Sequence, residues 1–181
     1  MPGKYTVVLT VGGKSYPQPL TIAMDPRVRT ANADLTEQFK LAKQLYDEWW
    51  ALNSISETVK RARGQLAELR PRVPEDSLKA RVDALAEKLR ALAGAGGGGP
   101  GGRGGGGGLS IATTTGRLRT LFGLLQEVDL APTTQAAAAV PDLLKDSRTL
   151  QESWRMIKSH DIPALNAELR AAGHHVIETE N

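Results

Sequence analysis

The sequence contains no cysteine, which removes disulfides and thiolate metal sites and leaves the redox compartment undecided. Aromatic residues are scarce at 4%, so any core is mostly aliphatic. Charge of one sign nowhere gathers into blocks. The 23 Lys and Arg are interleaved with 20 Asp and Glu for a net +3, a poor footprint for nucleic acid, which needs basic residues clustered on one surface. No apolar run approaches the roughly 20 residues of a membrane span. The opening MPGKYTVV lacks the charged-then-apolar layout of a secretory signal, so an export address would lie outside these residues. Catalytic signatures are missing too: no G-x-S-x-G nucleophile elbow occurs.

What is present begins with YTVVLTVGGKSYPQPLTI, residues 5–22. Two alternating stretches flank Gly12-Gly13, a two-residue turn suited to type I′ or II′ geometry. The expected register pairs Val11 with Lys14, Leu9 with Tyr16, Val7 with Gln18 and Tyr5 with Leu20. Period-two alternation then puts Tyr5, Val7, Leu9 and Val11 on one face with Tyr16, Leu20, Ile22 and Met24. That face is strongly apolar and calls for a cover. Pro17 and Pro19 fall at non-hydrogen-bonded pairs, so their missing N–H groups lie on the outer side of the second strand. The first strand carries no such block, and Thr6, Val8 and Thr10 offer their N–H groups outward. A two-stranded hairpin is marginal alone. Residues 3–24 are therefore expected to be the last two strands of a sandwich whose earlier strands lie upstream of Met1. The other reading is a small α+β domain with the hairpin docked on its own helices.

After Pro26 the chain turns helical. Asp34 and Glu37 are spaced as a capping box, and Leu35, Phe39, Ala42, Tyr46, Trp49, Leu52, Ser56, Val59, Arg63 and Leu66 recur in steps of three and four. Pro71 and Pro74 break this helix. A second follows from about residue 75 with Leu78, Val82, Leu85, Leu89 and Leu92 on one side. Residues 94–108, GAGGGGPGGRGGGGG, read as a flexible spacer; a phosphate loop would need a strand before it and Gly-Lys-Ser/Thr after it. A third helix carries Leu118, Leu121, Phe122, Leu125 and Val128. A fourth, running to about residue 159, carries Val140, Leu143, Leu144, Leu150, Trp154 and Ile157, with Pro141 as a kink or a start. A short fifth is expected with Asp161 as N-cap, Pro163 in its first turn and Gly173 as its stop. The expected fold is mainly α: an N-terminal β-hairpin (1–27), then an antiparallel four-helix bundle, up-down-up-down, with a short fifth helix (28–173), then a polar tail (174–181).

Few residues suggest chemistry. His174 and His175 near Glu178 and Glu180 form a weak metal pattern that reads better as an exposed tail, since ligands need a supporting second layer. His160 suits a helix C-terminus. Most Asp and Glu stand one turn from Lys or Arg, as in AEKLRAL, and read as solvated faces. Trp49 fits the helix stripe. Trp50 points about 100° away and, with Trp154, is either a second edge of the core or an anchor for another protein. The candidate interaction residues are thus Tyr5, Val7, Leu9, Tyr16, Leu20, Ile22, Trp50 and Trp154, with no catalytic residue, metal site or cofactor.

The segment PGKYTVVLTVGGKSYPQPLTIAMDPRV followed by ADLTEQFKLAKQLYDEWW resembles the C-terminal end of bacterial sortilin-like proteins. These carry Asp-box (BNR) repeats in a β-propeller and are often labelled glycosyl hydrolases. The resemblance is most specific from Pro2 to Trp50 and compositional beyond. It implies a non-catalytic C-terminal accessory module of a larger exported parent. Its partners would be the upstream propeller and sandwich domains or another protein chain, with no nucleic acid and no membrane span. The Asp-box pattern S-x-D-x-G-x-T-W occurs nowhere here, so no hydrolase residue carries over; a glycosidase site would lie in the missing propeller. A stand-alone helical protein that binds a partner or dimerises is the remaining alternative.

Overall fold

The computed structural model describes residues 2–94 and 108–179. It is mainly α, with an N-terminal hairpin, four principal helices and a short fifth. Strands β1 (Gly3–Val11) and β2 (Lys14–Ile22) pair antiparallel in the expected register, Leu9 opposite Tyr16 and Val7 opposite Gln18. Gly12 and Gly13 both take positive φ, 56° and 78°, as a type I′ turn requires and as a side chain would resist.

Helix α1 (Asn32–Leu69) has 38 residues, roughly 57 Å of rod at 1.5 Å per residue. Ala31 is its N-cap, without a side-chain hydrogen bond, so the Asp34–Glu37 pair does not cap it; Asp34 sits in the first turn, where the helix dipole favours an acid. The buried stripe keeps Leu35, Ala42, Leu52, Val59 and Leu66 of the expected one and adds Leu41, Leu45, Ala62 and Leu69, while Phe39 and Tyr46 are 52% and 45% exposed. The aromatic stripe turns polar at Ser56 and Arg63, whereas the aliphatic one stays apolar to the helix end. A helix packed along its whole length settles on the stripe that does not decay.

A 3₁₀ turn at Arg70–Arg72 reverses the chain into α2 (Asp76–Ala93), which buries the five residues expected of it. Helix α3 (Ile111–Gln126) runs beside the first half of α1, where the Gln38 amide donates to the carbonyls of Leu125 and Val128. It buries Ile111, Thr114, Leu118, Leu121 and Leu125; Val128 lies beyond its end and is 53% exposed. Helix α3 starts where α2 stops. A Cβ placed on Gly94 would stand 2.5 Å from Oγ of Ser110, the N-cap of α3. Most of the expected spacer, residues 95–107, lies outside the described residues.

Helix α4 (Thr134–Met156) includes Pro141 without ending there and continues by a π turn at Ile157–Asp161 into α5 (Ile162–Ala171). No helix-to-helix break occurs: Asp161 is itself helical and caps nothing. Pro163 lacks an N–H and crowds the carbonyl one turn back, and a widened turn relieves that without ending the helix. Gly173 stops α5 as expected. Its φ is 76°, its N–H donates to the Arg170 carbonyl, and the His174 N–H donates to the Leu169 carbonyl, a Schellman arrangement.

Ion pairs order the rods. Arg117–Asp146, Lys88–Asp161 and Arg81–Glu168 climb the α4–α5 rod while descending in number from α3 into α2. The helices therefore pack as three rods, with α1 and α4–α5 running one way and α2–α3 the other, and α3 keeps the direction of α2 instead of reversing it. Between α1 and α4, Ser147 Oγ and Gln151 Nε2 each donate to Glu48 Oε2 at 2.6 Å, with Ser147 fully buried. Residues 174–179 are not a free tail: Ile177 is buried, the Asn166 amide bonds both its N–H and carbonyl, and Gln65 does the same for Glu178.

Candidate functional site

The hairpin is where the structure departs from a self-sufficient fold. Its apolar face is exposed throughout, from 42% at Tyr5 to 61% at Leu9, with Val7, Val11, Tyr16, Leu20 and Ile22 between. The opposite face is exposed as well, Val8 included. Only the base approaches the helices, where Pro2, Ile22 and Met24 line a cleft of about 430 Å³ with Leu35, Gln38 and Phe39. The reading in which the hairpin docks on its own helices is therefore not what the chain adopts.

The edges differ. Val8 faces Pro17 and Thr6 faces Pro19. Counting outward from the Val11–Lys14 pair at the turn, these are non-hydrogen-bonded positions, whose N–H and C=O groups point away from the partner strand. The outer edge of β2 thus lacks donors at two successive outward positions. The outer edge of β1 keeps them at Lys4, Thr6, Val8 and Thr10.

Of the candidate residues, Tyr5, Val7, Leu9, Tyr16, Leu20 and Ile22 come together on this face. Trp50 is 59% exposed but belongs to the flank of α1, apart from the hairpin face. Trp154 is 8% exposed within the core between the rods, so it is packing and not a surface anchor. Beside Trp50 stand Trp49 and Phe122, which pack against the core, and Tyr46, which is expected inside and lies exposed. Tyr46 is 5.9 Å from both Trp49 and Phe122 by ring centroids, and Trp49 is 6.1 Å from Trp50. Tyr46, Trp49 and Phe122 line a recess of about 250 Å³ with Arg119. The seven-residue step from Phe39 to Tyr46, one position round from Leu45 and Leu52, was the signal that these rings share a face beside the core stripe.

Titratable groups are engaged in surface pairs. Asp25, Asp83, Glu87 and Glu152 are each held below the ordinary carboxylate range, chiefly by side-chain hydrogen bonds from Arg27, Arg70, Arg90 and Arg155. All four pairs are solvated. They tie local structure together. His160 lies exposed in the π turn, and His174 Nε2 is 3.8 Å from Glu75 Oε2. Among the described residues, no group of three or more His, Asp or Glu is placed to hold a metal ion, and no helix is long and apolar enough to cross a membrane. Compared with known proteins, the chain matches no family model, no curated protein and no solved structure.

Proposed function

We propose that this chain is a non-catalytic protein–protein interaction module: a helical bundle presenting a hairpin whose β1 edge takes up a further strand. One observation carries the reading, an apolar hairpin left exposed on both faces with a single edge fit for pairing. Added strands gain affinity from main-chain hydrogen bonds and selectivity from alternate side chains, and here the odd-numbered residues of β1 supply an apolar row. The resemblance to sortilin-like proteins supports a particular form of this reading, an accessory module packed against the sandwich of a larger exported parent. Any glycosidase activity would then belong to that parent's propeller.

The test is deletion of residues 2–24. A docking element can be lost without its carrier, so the remaining helices should keep a cooperative melt within a few degrees of the full chain. Collapse of the helical signal would make the hairpin part of the fold's own scaffold and end the interaction reading.

A further inference from the structure

We infer that the strand taken up by the β1 edge is β1 of a second copy of this chain, forming a closed two-fold dimer around a four-stranded antiparallel sheet. The inference rests on the interaction reading above and adds the identity of the partner.

Three features favour a second copy. First, each chain has one open edge and one edge stripped of donors at Pro17 and Pro19. Two open edges satisfy each other, and the assembly then ends in two proline-bearing strands. Growth stops at two, whereas a hairpin open on both sides would extend without limit.

Second, β1 is complementary to itself. With the two-fold axis at Val7, Val7 faces Val7 of the second copy, Tyr5 faces Leu9, Thr6 faces Val8 and Lys4 faces Thr10. All four outward-pointing residues of each strand then exchange main-chain bonds, about eight in total. A register shifted by two leaves one of those residues per strand unused. Lys4 and Lys14 are the only charges in the hairpin, and the Val7-centred register opposes Lys4 to a threonine instead of another lysine.

Third, the bundle leaves room. It joins the hairpin at the base, beside Pro2 and Ile22. Antiparallel pairing sends the two bundles to opposite ends of a nine-residue strand, roughly 30 Å apart at 3.4 Å per residue. The apolar faces of the two hairpins meanwhile merge into one row through Tyr5, Val7 and Leu9.

The absence of native cysteine makes the test clean. Val7→Cys places two thiols at the two-fold axis in a non-hydrogen-bonded pair, close enough to bridge under mild oxidation. Gln18→Cys, on the same face but on β2, sets its thiols three strands apart, roughly 14 Å. The expected result is a cross-linked dimer with Val7→Cys and none with Gln18→Cys, and a sedimentation mass twice 19.4 kDa for the unaltered chain. Val8→Pro removes one outward N–H without touching the β1–β2 ladder and should give a monomer. Pro17→Thr with Pro19→Thr opens the second edge and should give assemblies larger than two. A monomeric unaltered chain at micromolar concentration, equal cross-linking of the two cysteine variants, or a dimer that persists with the hairpin deleted would each overturn the inference. The cysteine comparison does not depend on how the proline variant folds. A monomer whose bundle survives the hairpin deletion removes the second copy as partner and leaves the edge for a foreign strand.

Discussion

Residues 95–107 connect two helix ends that already touch, so shortening them should stabilise the protein. The contact is close: Gly94 and the Ser110 cap of α3 leave no space for even a methyl group between them. Four residues span up to about 14 Å, enough to join these ends without pulling on either helix. Closing a loop costs about (3/2)RT ln n, so reducing the thirteen intervening residues to four should recover about 1 kcal/mol. For a chain of this size that corresponds to a rise in melting temperature of roughly 2–4 °C. The assay is urea denaturation followed by helical circular dichroism. The midpoint should rise while the slope stays constant, because the surface exposed on unfolding barely changes. A fall of similar size would refute the reasoning: either the removed residues hold the bundle together, or α2 and α3 do not meet end to end.

Two further outcomes follow from the packing and the charges. Trp154→Ala should cost about 3–5 kcal/mol as a core truncation, while Trp50→Ala, on an exposed flank, should stay within about 0.5 kcal/mol; parallel urea melts decide between this and an equal role for both. The four carboxylates paired with arginine have folded-state pKa values below their unfolded ones. Their contribution is therefore present above the unfolded values, near pH 4, and is lost as pH falls through the folded ones. Stability should be flat from neutral pH to about 5 and decline below about 4, with a shallower acid limb in Asp83→Asn; a decline setting in on the alkaline side of neutrality would contradict this assignment.

Local rules carried the hairpin and the first helix reversal. Gly12-Gly13 left two turn types, I′ and II′, of which the chain takes the first, strict alternation set the register, and prolines at 71 and 74 placed the first reversal. The inward face of α2 was readable because Leu78, Val82, Leu85, Leu89 and Leu92 have no competing stripe. On α1 two stripes compete, and a local window favours the one with larger rings. Only packing along all 38 residues selects the other, which is why Phe39 and Tyr46 were misplaced. Pro163 signalled a helix start by its usual preference, yet the pull of core residues on both sides, Ile157, Ile162 and Leu165, kept the helix running through a wider turn. The end-to-end placement of α2 and α3 is a long-range fact that no local pattern encodes. The hairpin's isolation was half legible: the exposed edge could be read from Pro17 and Pro19, but not whether the helices would cover its face.

The cluster of Glu48, Ser147 and Gln151 governs alignment more than strength. The α1 stripe is aliphatic over most of its length, and by itself it would tolerate α4 slipping by one heptad. After such a slip Ser147 would face Leu41 or Ile55, and the half-buried Glu48 side chain would lose both donors. Leaving these polar groups without partners disfavours the alternative even where its shape fits. One acid in an otherwise oily seam thus gives two long, nearly uniform rods a single way to mate.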